Sequence, residues 1–231
     1  MLPEILYHHK SLVVINKPAG VLTQAPPEID SMELRVRQWR ETCHDATRPI
    51  YVGVPHRLDR PASGVMVMGL SRKVTRGLSK QFEQRRIQKT YWVWVAGDVQ
   101  PDAGCWRDTM RKIPGEARAE IVTADHKDAK SAVLHYQVIE RRELAGQTFS
   151  LLNVQLETGR THQIRLQASC RYHPVWGDVQ YGSTIPFGEP TEDIRAAAIA
   201  LHSRSIEFEH PKTHERIAFT APTPNHWPAS T

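Results

Sequence analysis

The sequence predicts an α+β fold, and three observations carry that expectation. Apolar stretches with the two-residue alternation of strands outnumber those with a helical repeat. They are not regularly interleaved with helices, as a doubly wound sheet would require. The chain, at 231 residues, has length for one large domain or for two halves sharing a core. Residues 1–231 are therefore expected to form one domain, with 24–50 and 101–130 as insertions.

The first strand is Ser11–Asn16, stopped by Lys17-Pro18-Ala19-Gly20, where Pro fixes φ and Gly accepts a positive one. Gln24–Asp30 holds two prolines and reads as loop. Asp30 or Ser31 then caps a helix through about Glu41, with Leu34 and Gln38 on one side. A strand at Gly64–Gly69 follows, then a helix from about Lys73 to Gln84. Its Val74, Leu78 and Phe82 recur every fourth residue, which places one apolar stripe inward and the basic residues outward. Tyr91–Val95 is apolar or aromatic on both faces, the pattern of a central strand or of one that meets a ligand. Pro101–Lys130 is polar and rich in Gly, Pro, Asp and Lys, and is expected as an insertion or mobile arm. Two strands follow near Ser131–Glu140 and Thr148–Glu157, the second with Leu152, Val154 and Leu156 in strict alternation. Thr158–Thr161 turns into a short helix, His162–Cys170. Leu201–Glu209 is the last strand, closed by His210-Pro211.

Composition narrows the function. Met1–Lys10 has no apolar core of a signal peptide, and the apolar runs Leu12–Ile15 and Ala196–Leu201 are far too short to span a bilayer. Cys43, Cys105 and Cys170 lie far apart without a CxxC pair. That disfavours a disulfide framework or a cysteine zinc site and fits a reducing cytoplasm. The net charge is +5. Basic residues concentrate at Arg72, Lys73, Arg76, Lys80, Arg85, Arg86 and Lys89, with Glu83 the sole acid among them. Such a stripe is the footprint of phosphate-backbone binding, against the plainer reading of a solvated helix face.

Residues 56–65 read HRLDRPASGV, with Asp59 between Arg57 and Arg60. A solvated ion pair there is worth little. The sharper reading is a carboxylate kept charged by neighbouring guanidinium groups in a positive groove. His162, His173 and His202 have no acid or second histidine at ligand spacing, so they read as backbone-bonding residues and no metal or other cofactor is expected. Ser63-Gly64 lacks the G-x-S-x-G frame of a nucleophile elbow.

NKPAG (16–20), HRLDRPASG (56–64), QKTY (88–91), LETGRTHQIR (156–165), HPVWGD (173–178) and LHS…FEHP (201–211) occur in this order. Together they resemble the RluA-type class of pseudouridine synthases, from about Ile5 to His210. The resemblance implies a pseudouridine synthase fold, a central mixed and mostly antiparallel sheet flanked by helices, with an RNA cleft across the middle. It implies that Asp59 acts at the sugar, as nucleophile or as base for a glycal route. Arg57 is similar to the arginine that enters the base stack as the uridine leaves it. Tyr91 is similar to the aromatic that packs on the extruded base, Arg165 to the arginine that pairs with the catalytic Asp, and Leu201 to an apolar residue against the base. Arg60 and the stripe from Arg72 to Lys89 are expected on the RNA backbone. Each has a plainer alternative: Arg57 a phosphate contact, Tyr91 core packing, Arg165 a helix cap, Asp59 a turn residue. Ala62 stands where the family usually has Thr, and Gln167 where it often has His.

Because NKPAG begins at Asn16, no small RNA-binding domain is expected ahead of it. Target choice then falls to the catalytic domain and its loops. The expectation is a monomeric cytoplasmic synthase acting on structured RNA, transfer RNA favoured over ribosomal RNA. The rivals are an RNA-binding or RNA-folding protein without catalysis, and a metal-dependent RNA hydrolase.

Overall fold

A computed structural model describes residues 1–43, 50–144 and 146–228. In chain order the elements are β1 (Glu4–His9), β2 (Leu12–Lys17), α1 (Met32–Cys43), β3 (Ser63–Gly69) and α2 (Arg72–Glu83). Then come β4 (Gln88–Ala96), β5 (Ala103–Lys112), β6 (Ala119–Ile121), β7 (Lys130–Leu144) and β8 (Gln147–Leu156). The chain closes with α3 (Gln163–Ser169), a 3₁₀ turn at Val179–Tyr181, β9 (Leu201–Glu209) and β10 (Arg216–Thr220). The α+β expectation holds: strands make the framework, and helices do not alternate with them. The chain divides into two compact units, Met1–Lys89 with Pro190–Ala197 and His202–Thr231, and Thr90–Glu189 with Ala198–Leu201.

In the first unit β1, β2 and β3 pair antiparallel in sequence, and β10 pairs antiparallel with β9. β3 meets β9 in parallel at Ser63↔His202 and Gly64↔Ser203. Gly64 has φ +115°, and a Cβ there would lie 2.3 Å from the Ser203 carbonyl oxygen, so only glycine fits. Val74 and Leu78 of α2 pack on Leu12, Val14, Val65, Val67, Ile206 and Phe208, with Phe82 partly buried beside them. The fourfold apolar spacing read in the sequence is the contact face. Ser71 caps α2 by accepting from Val74 N–H at 3.4 Å. Gln81 fastens its far end, exchanging two hydrogen bonds with the Glu209 backbone of β9 at 2.8 and 3.0 Å.

Two expectations change here. α1 buries Met32 and Val36, not Leu34 and Gln38. Its Ser31 cap, accepting from Leu34 N–H at 3.2 Å, is as expected. Of the expected loop 24–50, residues 44–49 lie outside the described residues. β1 and β10 have no counterpart in the sequence reading.

The second unit is an antiparallel sheet in the order β4-β8-β7-β5-β6. β4 has Trp94 and Val95 both buried, as an all-apolar strand should. Pro101–Lys130, expected as an insertion or mobile arm, is instead built into this sheet as β5 and β6. β5 turns Trp106 and Met110 inward and exposes Arg107 and Lys112, the half-solvated pattern of an antiparallel sheet, with Asp108 and Arg111 half-buried. Leu166 of α3 packs against Met110, Ala119, Ala132 and Tyr181. No helix among the described residues is long and apolar enough to cross a membrane.

Candidate active site

In the first unit the NKPAG turn and the HRLD turn are knitted together by backbone and side-chain hydrogen bonds. Gly20 N–H donates to the Arg60 carbonyl at 2.8 Å, and Arg60 Nε returns a bond to the Gly20 carbonyl at 2.9 Å. The Thr23 hydroxyl brackets Leu58, accepting from its N–H at 3.1 Å and donating to its carbonyl at 2.8 Å. Ala62 N–H closes the turn on the Asp59 carbonyl at 3.1 Å. Asp59 is thus held by a backbone fastened on both sides, with its side chain half-buried.

Lys17 completes this arrangement, and the sequence reading missed it. Its side chain is fully buried, and Nζ donates to the carbonyls of Pro18 at 2.9 Å, Arg60 at 3.1 Å and Ala62 at 2.7 Å. An ammonium has three N–H donors and no acceptor, so three carbonyls satisfy it fully. Burial pushes the Lys17 pKa down to about 7, and the nearby positive charges of Arg35 and Arg60 act in the same direction. The Asp59 carboxylate opposes them. A lysine between a strand and a Pro-Ala-Gly turn was the available signal.

The other basic residues of this unit divide by environment. Arg57, Arg72, Lys73, Arg76, Lys80, Arg85 and Arg86 are exposed, Arg60 and Lys89 half-buried. Arg60 forms an ion pair with Asp193 at 3.0 Å and Arg86 one with Glu209 at 2.8 Å. Arg72 lies 5.9 Å from the Tyr51 ring and Lys89 5.6 Å from the Phe82 ring.

The second unit carries Tyr91, Arg165 and Leu201. Tyr91 is buried on β4 opposite Val154 of β8, and Leu201, also buried, opens β9. Arg165 is buried on α3. Its Nε and Nη2 grip Asp178 in a two-pronged pair at 2.6 and 2.8 Å, and Nη2 also donates to Gln180 at 2.9 Å. The guanidinium sits 4.9 Å from the Tyr181 ring centroid. Asp178, the last residue of HPVWGD, is a partner the sequence reading did not foresee. Gln167, the departure noted above, is buried and donates to the Trp106 carbonyl at 3.2 Å and to Asp108 at 2.6 Å. It also accepts from Gln163 at 3.1 Å.

The histidines expected to bond backbone do so at His173 and at His202, whose Nε2 meets the Ala221 carbonyl at 3.3 Å, whereas His162 bonds a side chain. His162 meets the Tyr181 hydroxyl at 3.0 Å, His173 the Ala96 carbonyl at 2.8 Å, and His202 the Ser63 hydroxyl at 2.8 Å. Among the described residues no group of three His, Cys, Asp or Glu side chains is placed to hold a metal ion.

Residues 11–169 match the family model described as RNA pseudouridylate synthase. The chain is 32% identical over 233 residues to "tRNA pseudouridine synthase C" of Haemophilus ducreyi, covering 97% of this chain and 92% of that protein. It is 30% identical to "Ribosomal large subunit pseudouridine synthase D" of Neisseria meningitidis, covering 96% of this chain and 58% of that one. In fold it is similar to human RNA Pseudouridylate Synthase Domain Containing 4, with a TM-score of 0.75, 23% identity, and coverage of 96% of this chain and 89% of that one.

Proposed function

The chain belongs to the RNA pseudouridylate synthase family, and on that premise we propose that Asp59 is its catalytic carboxylate and structured transfer RNA its substrate. The reaction isomerises uridine in RNA. The bond from C1′ of the ribose to N1 of the base breaks, one from C1′ to C5 forms, C5 gives up a proton and N1 gains one. Asp59 serves either by attacking C1′ or by removing a ribose proton in a glycal route, and both need its ionised form.

The observation that carries this reading is the fastening of the Asp59 turn by Lys17, Gly20 and Thr23. A reacting group gains most when its geometry is fixed before the substrate arrives. Arg57 is assigned to the gap left in the base stack, Tyr91 and Leu201 to the extruded uracil, and Arg165 to the catalytic carboxylate. Flipping a base out costs a few kcal/mol of stacking, part of which a planar cation restores. The exposed cations of α2, Arg72, Lys73, Arg76 and Lys80, are assigned to phosphates, as are Arg60, Arg85, Arg86 and Lys89. Transfer RNA is supported by the name and near-complete overlap of the Haemophilus relative. A cytoplasmic setting suits three exposed free thiols at Cys43, Cys105 and Cys170.

The test is pseudouridine mapping on transfer RNA treated with the protein, the RNA fold being held by a polyamine in the presence of EDTA. The wild type should form pseudouridine, and Asp59→Asn should form none while binding RNA nearly as well. Normal turnover by Asp59→Asn would sink the catalytic assignment. Activity lost to EDTA and restored only by a divalent ion would favour metal-dependent chemistry.

A further inference from the structure

His56 opens the HRLD motif, one residue before Arg57 and three before Asp59. Its place is set by what happens to the edge of β3. Beyond the β9 pairs at Ser63 and Gly64, the segment from Gly53 runs along the β3 edge that faces away from β2. Gly53 exchanges two backbone hydrogen bonds with Gly69, at 2.7 and 3.0 Å. Residues two apart on a strand direct their backbone groups to the same edge. Val67 therefore presents its N–H on that edge as well, and the donor is met by His56 Nε2 at 3.0 Å. An imidazole stands in where a neighbouring strand would supply a carbonyl.

Nε2 accepts from an N–H, so the ring proton lies on Nδ1. That Nδ1 is shut off from solvent and has no hydrogen-bond partner among the described residues. The ring is thus oriented from one side by Val67, and from its face by Phe82 of α2, stacked at 4.5 Å and 20°. Protonation would set a second N–H against that of Val67. Burial and the charge of Lys89 oppose it, holding the His56 pKa at about 3. A base with so low a pKa in a closed site is poorly placed to move protons in the reaction.

We propose that His56 is a positioning residue, whose Nε2 bond to Val67 and stacking on Phe82 fix the point from which Arg57 and Asp59 are projected. The proposal rests on Asp59 being the catalytic carboxylate. It acts through that group and touches no substrate. It also ties the catalytic turn to α2, the helix assigned to the RNA backbone, through one aromatic contact.

Two variants separate the ring from its acceptor. His56→Phe keeps a ring to stack on Phe82 but leaves Val67 N–H without an acceptor. His56→Gln loses the ring but offers an amide oxygen near the place of Nε2. Single-turnover rates at saturating protein on transfer RNA should fall by about 100-fold in His56→Phe, the scale of a misplacement near 1 Å. His56→Gln should recover at least about ten-fold of that loss, and the Kd for RNA should stay near wild type in both. A wild-type rate in His56→Phe, or equal losses in the two variants that follow their folded fractions, overturns the proposal. Should His56→Phe fail to fold, the nitrogen NMR signals of His56 in the wild type decide. A ring protonated on Nδ1 and unchanged between about pH 5 and 8 supports the geometry, and the opposite tautomer or a titrating ring overturns it. Asp59→Asn runs alongside. Its full activity would refute the catalytic reading, whereas an inactive Asp59→Asn beside a fully active His56→Phe refutes the positioning role alone.

Discussion

Replacing Lys17 with Met tests whether a buried ammonium truly sits beneath the Asp59 turn. Met has nearly the same length and shape, so the pocket stays filled while the charge and three donors vanish. Lys17 titrates near 10.5 when unfolded and about 7 in the fold, where burial disfavours its charged form. Below about pH 7 the lysine is charged in both states and the fold bears the whole burial cost. Above it the folded lysine sheds its proton while the unfolded one keeps it. Stability contributed by this residue therefore rises with pH across the window from about 7 to 10.5. Between pH 7 and pH 9 the rise amounts to about 2 kcal/mol. Lys17→Met cannot show it. The assay is urea denaturation of both proteins at pH 6, 7, 8 and 9, plotted as the difference between them, which cancels every other titrating group. The difference should be flat up to about pH 7 and then grow in favour of the wild type. Parallel curves throughout would refute the reasoning, because they would mean that the three carbonyls and Asp59 fully offset the burial.

Three further outcomes follow from the same geometry. Arg165→Lys turns the two-pronged grip on Asp178 into a point contact, so the single-turnover rate should fall by about ten-fold or more, at 1.5–3 kcal/mol for a charge-assisted bond. RNA affinity should be kept, and Asp178→Asn should show a similar loss; weakened binding with an unchanged rate would make Arg165 a phosphate clamp. Arg76→Ala combined with Lys80→Ala, both on the exposed face of α2, should flatten the salt dependence of RNA binding by about 1.4 to 1.8 in log–log slope. An unchanged slope would turn that face away from RNA. Gln167→Leu strips donors from the Trp106 carbonyl and Asp108 and an acceptor from Gln163. It should cost about 2–4 kcal/mol in urea denaturation, and a loss below 1 kcal/mol would show that water replaces these bonds.

Legibility in the sequence followed the strength of the local pattern. α2 was readable because Val74, Leu78 and Phe82 repeat on one face and the charges fall outside it. β5 was not, since only Trp106 and Met110 point inward across ten residues and the intervening charges read as loop. β1 has the same difficulty, with no clean alternation in Glu4–His9. In α1 the choice of face failed because Met32 and Val36 share the helix with Leu34, and tertiary packing decided between them. Asp59, Tyr91 and Arg165 stood out through motifs. Their supports did not. Asp178 lies thirteen residues beyond Arg165 across a turn, and Lys17 reaches residues 43 and 45 positions away. Local periodicity carries no information about such pairings.

The Lys17 contacts have a consequence for how this sequence can vary. Every oxygen that receives its ammonium belongs to the main chain: Pro18, Arg60 and Ala62 contribute carbonyls. All amino acids supply that atom. The side chains at 61 and 62 are therefore not what holds the anchor beneath Asp59, whereas the Arg60 side chain separately fastens Gly20 and pairs with Asp193. The bond to the Ala62 carbonyl, at 2.7 Å, is the shortest of the three. A substitution library at position 61 should accordingly retain folded, active members of many compositions. The same library at position 17 should collapse to lysine.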